Sequence, residues 1–151
     1  MLLRTIAGLS LLLAAVLFFL AELPLWTCPV LFVRFCLVFL LIAFLILWAF
    51  SIFVDMDKPQ ETDSKFYRTV MYIYIEALIS LVLARVHATG MEKVPTDGRF
   101  LLVCNHQHEA DPGVLLHCFK KSQLAFISKQ ENDSMFVVNK MMHKTMCQLL
   151  N

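Results

Sequence analysis

The sequence predicts a helical-hairpin membrane anchor joined to an α/β domain, and three observations lead there. The first is where the apolar residues lie. The 151-residue chain is 59% apolar and 17% charged, against about 45–50% and about 25% in soluble domains, and 44 of its first 54 residues are apolar. The second is one polar stretch, 55–64 (Asp-Met-Asp-Lys-Pro-Gln-Glu-Thr-Asp-Ser), which separates residues 1–54 from residues 65–151. The third is the order of patterns behind it: helix, apolar run, polar loop, short helix, apolar run. That alternation belongs to an α/β fold. Intrinsic disorder is excluded, since it needs few apolar side chains and a high net charge, and the formal net charge here is +1. No basic face stands out, so no nucleic-acid partner is expected. The five cysteines are scattered and form no C-x-x-C pair, which reads as free thiols in a reducing compartment.

The anchor comes first. Thr5–Ala21 and Phe35–Val54 are uncharged runs of 17 and 20 residues, and a membrane-spanning helix needs about 20. Glu22, Pro24, Trp26, Thr27, Pro29 and Arg34 lie between them. Two prolines five residues apart predict a tight turn, with Trp26 at the interface. A cleaved signal peptide is the competing reading of the first run, and the second run following so closely argues for the hairpin. A hairpin returns the chain to its starting side. Arg4 and the amino terminus favour the cytoplasm, so residues 55–151 are expected there, at a cell membrane.

Lys65–Arg85 reads as a helix with Asp63 or Ser64 as its cap. Arg68, Tyr72, Glu76 and Ser80 form a narrow polar stripe on it, suiting a helix packed on a sheet or lying at the membrane surface. A third span would place Glu76 near the bilayer centre, at a cost of a few kcal/mol. Val86–Thr89 reads as a short strand ending at Gly90, and residues 92–98 as a turn-rich connection. Phe100–Cys104 has the continuous apolar pattern of a strand buried on both faces. Asn105–Ala110 is a polar loop, and Asp111-Pro112 a helix start with Asp at the cap, the helix running to about Phe119. Leu124–Ser128 reads as another strand, and a poorly patterned helix covers roughly 134–149.

The chemistry concentrates in Asn105-His106-Gln107-His108-Glu109-Ala110-Asp111, just past a predicted buried strand, where α/β sheets place their sites. A histidine beside a carboxylate is the pair that removes a proton from an alcohol: the carboxylate selects the imidazole tautomer and stabilises the imidazolium. No serine or cysteine is placed locally as nucleophile, so the alcohol would be the substrate's. Three other readings stand at this point. Asp111 is accounted for as a helix cap, His106 as an ordinary loop histidine, and His106, His108 and Asp111 together as metal ligands.

The run from Val86 to Pro112 resembles the glycerolipid acyltransferase family, most of all the bacterial 1-acyl-glycerol-3-phosphate acyltransferases. Gly90, Glu92 and Pro95 match its Gly-x-Glu-x-x-Pro block. Asn105, His106 and Asp111 match its Asn-His-x-Ser-x-x-Asp block, and Phe126–Glu131 is similar to a strand ending in Lys-x-Glu. The resemblance covers residues 65–151 and implies an acyltransferase-type α/β domain behind an anchoring leader. It implies that His106 deprotonates the free hydroxyl of a lysophospholipid, with 1-acyl-glycerol-3-phosphate the expected acceptor. Asp111 would orient His106, Asn105 shape the loop, and Lys129 help hold an anionic head group. The donor would be a thioester on coenzyme A or acyl carrier protein, with no metal, resident cofactor or covalent acyl-enzyme required.

Two departures from the family pattern are visible. Residue 108 is His where the family usually has Ser. The family's later blocks, an Arg-bearing strand end and Glu-Gly-Thr-Arg, are expected beyond Asn151, with Met146–Asn151 resembling the strand that leads into them. The expectation is therefore the first half of such a domain, truncated and short of its phosphate-binding arginines. The alternatives are a non-catalytic membrane protein or inactive fragment that binds lipid or a partner, and a metal-dependent hydrolase using His106 and His108.

Overall fold

The computed structural model describes residues 1–95, 97–129 and 135–149. The element order is α1 (Leu2–Leu20), α2 (Thr27–Ile52), α3 (Lys65–Leu81), α4 (Asp111–Cys118), β1 (Ile127–Ser128), α5 (Phe136–Lys144) and β2 (Gln148–Leu149), with a short 3-10 turn at Met91–Lys93. The helices α1 and α2 pack as the expected hairpin. Ile6, Ser10 and Ala14, spaced four apart on α1, are its buried residues, and side chains as small as Ser and Ala let helix backbones approach closely. Both helices are long and apolar enough to cross a membrane, and most of their outward apolar side chains remain exposed.

The turn between them is shorter than the two prolines suggest. It occupies residues 21–26, and Pro29 lies inside the first turn of α2. Proline is tolerated there because the first N–H groups of a helix have no intrahelical acceptor. The end of α1 is set by Glu22, which adopts a positive φ of 47°, while the Leu23 N–H bonds back to the Phe18 carbonyl at 3.3 Å.

Two tyrosines lay α3 antiparallel along the second half of α2. The Tyr67 hydroxyl donates to the Phe50 carbonyl at 3.3 Å and the Tyr74 hydroxyl to the Ala43 carbonyl. The rings of Phe50 and Phe66 meet edge to face, 5.2 Å apart. The polar stripe faces the other way, into the rest of the domain. Arg68, only 5% exposed, donates from Nε and Nη2 to the two carboxylate oxygens of Asp63 at 2.7 and 2.5 Å. Its remaining N–H groups reach the Leu124 carbonyl at 3.0 Å and the Thr145 carbonyl at 3.1 Å. One guanidinium thereby ties the polar linker, α3, the approach to β1 and the end of α5 together. The Ser64 N–H adds a bond to the Lys144 carbonyl at 3.0 Å; Ser64 precedes α3 as predicted, but its side chain makes no cap bond.

Two helices stop earlier than their apolar patterns suggest and turn where no glycine stands. The expected helix 65–85 ends at Leu81 because Leu83 takes a φ of 54°. The Leu83 and Ala84 N–H groups then bond to the Ser80 and Ile79 carbonyls at 3.2 and 3.1 Å, the paired bonds of a Schellman turn. The helix expected over 134–149 is α5, which ends at Lys144 in the same way. Met146 has a φ of 66°, and the Met146 and Cys147 N–H groups return to His143 and Met142 at 3.3 and 3.0 Å. The expected start of that helix, Ser134, lies outside the described residues.

Among the described residues, the expected sheet is present as a β1–α5–β2 unit. Its two strands are parallel, with Ile127 opposite Gln148 and Ser128 opposite Leu149; this is the crossover that builds α/β sheets. The predicted strand 124–128 shortens to Ile127–Ser128, and part of the 146–151 run does pair as a strand. The predicted strands 86–89 and 100–104 join no ladder among the described residues. Leu101 and Val103 are 85% and 80% exposed rather than buried on both faces. A strand of that composition holds its place only with a neighbour on each edge and cover on each face, and none of the described elements supplies them.

Candidate active site

The loop 105–110 leads directly into α4, and α4 is held against α3. The Glu76 carboxylate accepts a bond from His117 Nδ1 at 2.5 Å and pairs with Lys120 Nζ at 2.8 Å. Gly113 lies where an added Cβ would stand 3.9 Å from the Ile75 side chain. His117 stands in the last turn of α4 and Lys120 two residues past its end; no sequence pattern singled out either as a partner of Glu76.

Within the loop, His106 Nδ1 lies 3.1 Å from Asp111 Oδ2. The same oxygen accepts the backbone N–H of Gln107 at 2.8 Å and of His108 at 2.9 Å. A carboxylate oxygen only accepts, so the His106 contact requires the proton on Nδ1 and leaves Nε2 with its lone pair. His106 and Asp111 side chains are 54% and 34% exposed, open enough for a substrate hydroxyl to approach. The two N–H groups, His108 first and Gln107 second, hold the Asp111 carboxyl below the usual carboxylate range. They outweigh a small opposing effect of desolvation, with His106 assisting. Asp111 is thus kept ionised beside the imidazole.

This arrangement corrects the reading of Asp111 as the cap of its own helix. The capping position is Ala110, Asp111 is the first helical residue, and Pro112 follows it. No side chain caps α4; the first helical bond runs from the Val114 N–H to the Ala110 carbonyl at 3.1 Å. The Asp111 carboxylate turns backward onto the preceding loop instead. Placing a negative charge in the first turn still matches the positive end of the helix dipole.

His108, the departure from the family's usual Ser, has a local explanation. Its Nδ1 accepts the Ala110 N–H at 3.1 Å, a bond from residue 110 to the side chain at 108 that a serine hydroxyl can also accept. Among the described residues, no three His, Cys, Asp or Glu side chains are gathered closely enough to hold a metal ion.

The other predicted site residues are less engaged. Asn105 is exposed, directly before His106. Lys129 is exposed directly after β1 and forms no ion pair with a described residue. The geometry brings His106 and Asp111 together and leaves Asn105 and Lys129 apart from them. Gln130 and Glu131, the end of the Lys-x-Glu block, lie outside the described residues.

No curated protein and no solved structure matches the chain. The family model named Acyltransferase matches residues 85–151, a segment that begins just after α3 and includes the whole loop from Asn105 to Asp111. The match is consistent with the amino-terminal portion of a glycerolipid acyltransferase domain.

Proposed function

We propose that the protein is a membrane-anchored acyltransferase. It moves an acyl group from a thioester of coenzyme A or acyl carrier protein to the free hydroxyl of a lysophospholipid, with 1-acyl-glycerol-3-phosphate as the acceptor. His106 Nε2 takes the hydroxyl proton as the substrate oxygen attacks the thioester carbonyl. The thiolate leaves, and the proton held on His106 passes to it. Asp111 holds the imidazole with Nδ1 protonated and stabilises the imidazolium between the two transfers. Asn105 shapes the loop, and Lys129 meets the anionic head group. The domain faces the cytoplasm, where soluble thioesters are found, while α1 and α2 keep it at the bilayer where the lysolipid resides.

The observation that carries this reading is the His106–Asp111 contact of 3.1 Å, lying within a segment that matches the Acyltransferase family. The test is acyl transfer by the native gene product in phospholipid vesicles, with lysophosphatidate and acyl-coenzyme A supplied. His106→Ala is expected to abolish transfer and leave membrane association unchanged. Transfer that survives the substitution removes His106 from the role of base.

A further inference from the structure

The place of the His106–Asp111 pair depends on α4, and α4 has few means of staying folded. It is eight residues long, Asp111–Cys118, and buries one side chain, Leu116. Isolated helices shorter than about 12–15 residues are marginal in water, so α4 persists through what it packs on. That is chiefly α3. Upstream the chain offers no second support. Leu101 and Val103 are exposed, and residues 100–104 join no ladder among the described residues. The loop 105–110 is therefore framed from its α4 end.

Two successive residues of α3 make the attachment. The Ile75 side chain lies against Gly113, two residues after Asp111. Glu76 then takes His117, one turn farther along α4, and Lys120 just past its end, both on carboxylate oxygen Oε1 at 2.5 and 2.8 Å. Desolvation pushes the Glu76 carboxyl up, but the bonds from Lys120 and His117 outweigh it and hold the group below the usual carboxylate range. The carboxylate is thus ionised, and hydrogen bonds to an ionised acceptor are the strong ones. The charges also suit the helix they hold. Asp111 stands in the first turn of α4 and His117 in its last, each at the end of the helix dipole that favours its sign.

We propose, on the acyltransferase reading above, that Glu76 is a positioning residue for the reaction: through His117 and Lys120 it holds α4 folded on α3 and so keeps Asp111 and His106 in place. It acts through α4, not on the substrate. Loss of the contact frees α4 from α3, and a helix this short then frays from its first turn. With that turn goes the carboxylate that holds His106, Gln107 and His108.

The experiment uses the full chain, with amide exchange read by NMR in detergent micelles and acyl transfer measured in lysophosphatidate vesicles. Glu76→Ala is expected to speed exchange at Gln107, His108 and Val114 by about tenfold or more, the effect of losing charge-assisted bonds. The Asn139 and Thr145 amides, bonded to the Met135 and Met142 carbonyls in and beside α5, should exchange as in wild type. Transfer should fall by roughly 10–100-fold in kcat, with little change in KM for lysophosphatidate. Glu76→Gln, whose amide oxygen still accepts both donors, should keep most of the rate and the protection. Faster exchange spread equally into α5 makes Glu76 a general stabiliser and overturns the proposal. Unchanged exchange in the loop overturns it too, as does faster loop exchange with kcat unaltered. Should Glu76→Ala fail to fold, His117→Ala/Lys120→Ala, which leaves α3 intact, is read by the same outcomes. If the wild type transfers no acyl group, the acyltransferase reading fails on its own. Loss of protection confined to the loop and α4 would then still sustain the Glu76 clamp, and its absence would overturn it.

Discussion

One carboxylate oxygen, Asp111 Oδ2, accepts both His106 Nδ1 at 3.1 Å and the backbone N–H of the next residue, Gln107, at 2.8 Å. The imidazole is therefore oriented by the same group that folds the loop presenting it. Loss of Asp111 removes orientation and loop geometry together, and the first two predictions separate these effects.

Asp111→Asn keeps an oxygen that accepts the loop N–H groups but removes the negative charge beside the imidazole. Asp111→Ala removes both. On the proposed mechanism His106→Ala and Asp111→Ala abolish transfer, while Asp111→Asn lowers kcat by roughly 10²–10⁴-fold with the loop still folded, the range that positioned acid–base chemistry contributes. Steady-state rates in lysophosphatidate vesicles check it. An Asp111→Asn variant with the wild-type rate removes the carboxylate from the mechanism.

The pH dependence of the loop follows from the same oxygen. The His108 and Gln107 N–H groups, with His106 after them, lower the folded-state pKa of Asp111 below its unfolded value. A lowered carboxyl contributes its stabilisation in full above the unfolded pKa and loses it as pH falls through the folded pKa. Amide exchange at Gln107 and His108 is expected to stay slow at neutral pH and to lose protection on acidification through that lowered range. In Asp111→Asn this acid-dependent loss should be absent.

His108 Nδ1 accepts the Ala110 N–H, and a serine hydroxyl at the same position can do so. His108→Ser is expected to leave folding and transfer close to wild type. His108→Ala leaves an exposed N–H to water and costs no more than about 1 kcal/mol. A large loss of transfer in His108→Ser, together with wild-type activity that a chelator removes and zinc restores, would instead favour the metal-hydrolase chemistry weighed from the sequence.

Arg68 is the largest single commitment of polar groups in the domain. Its side chain is 6% exposed and that of Asp63 13%. Replacing Arg68 with Met leaves a nearly buried carboxylate and two carbonyls without their donor, a loss of about 3–5 kcal/mol. Arg68→Lys keeps the charge but not the two-pronged geometry and falls between the two. Asp63→Asn combined with Arg68→Met should recover part of the loss, because no unpaired charge then remains. Denaturation in detergent, followed by the near-ultraviolet signal of the tyrosines, reads all three.

Much of this protein was legible from its residues taken in order. Two uncharged runs marked α1 and α2, the polar stretch 55–64 marked the connection from α2 to α3, and Asp111-Pro112 marked the start of α4 to within one residue. The H-x4-D spacing, in its ordered context, marked the pair that the fold brings together. These succeed because hydropathy, proline and short-range spacing act over a few residues, and a few residues are enough to read them.

What needed the tertiary structure is long-range or conformationally costly. Nothing local indicates that Leu83 and Met146 adopt positive φ values of 54° and 66°, since only neighbouring structure repays that strain in a residue with a Cβ. Nothing local turns the Asp111 carboxylate back onto its loop rather than over its own helix. The partners of Arg68 at Leu124 and Thr145, and that of Glu76 at His117, lie 41 to 77 residues away in sequence. The composition of Phe100–Cys104 describes a strand, but a strand exists only in a ladder. The apolar pattern determined what each segment requires; the packing of the chain decided which of those requirements are met, because burial and pairing are relations between segments that no single segment contains.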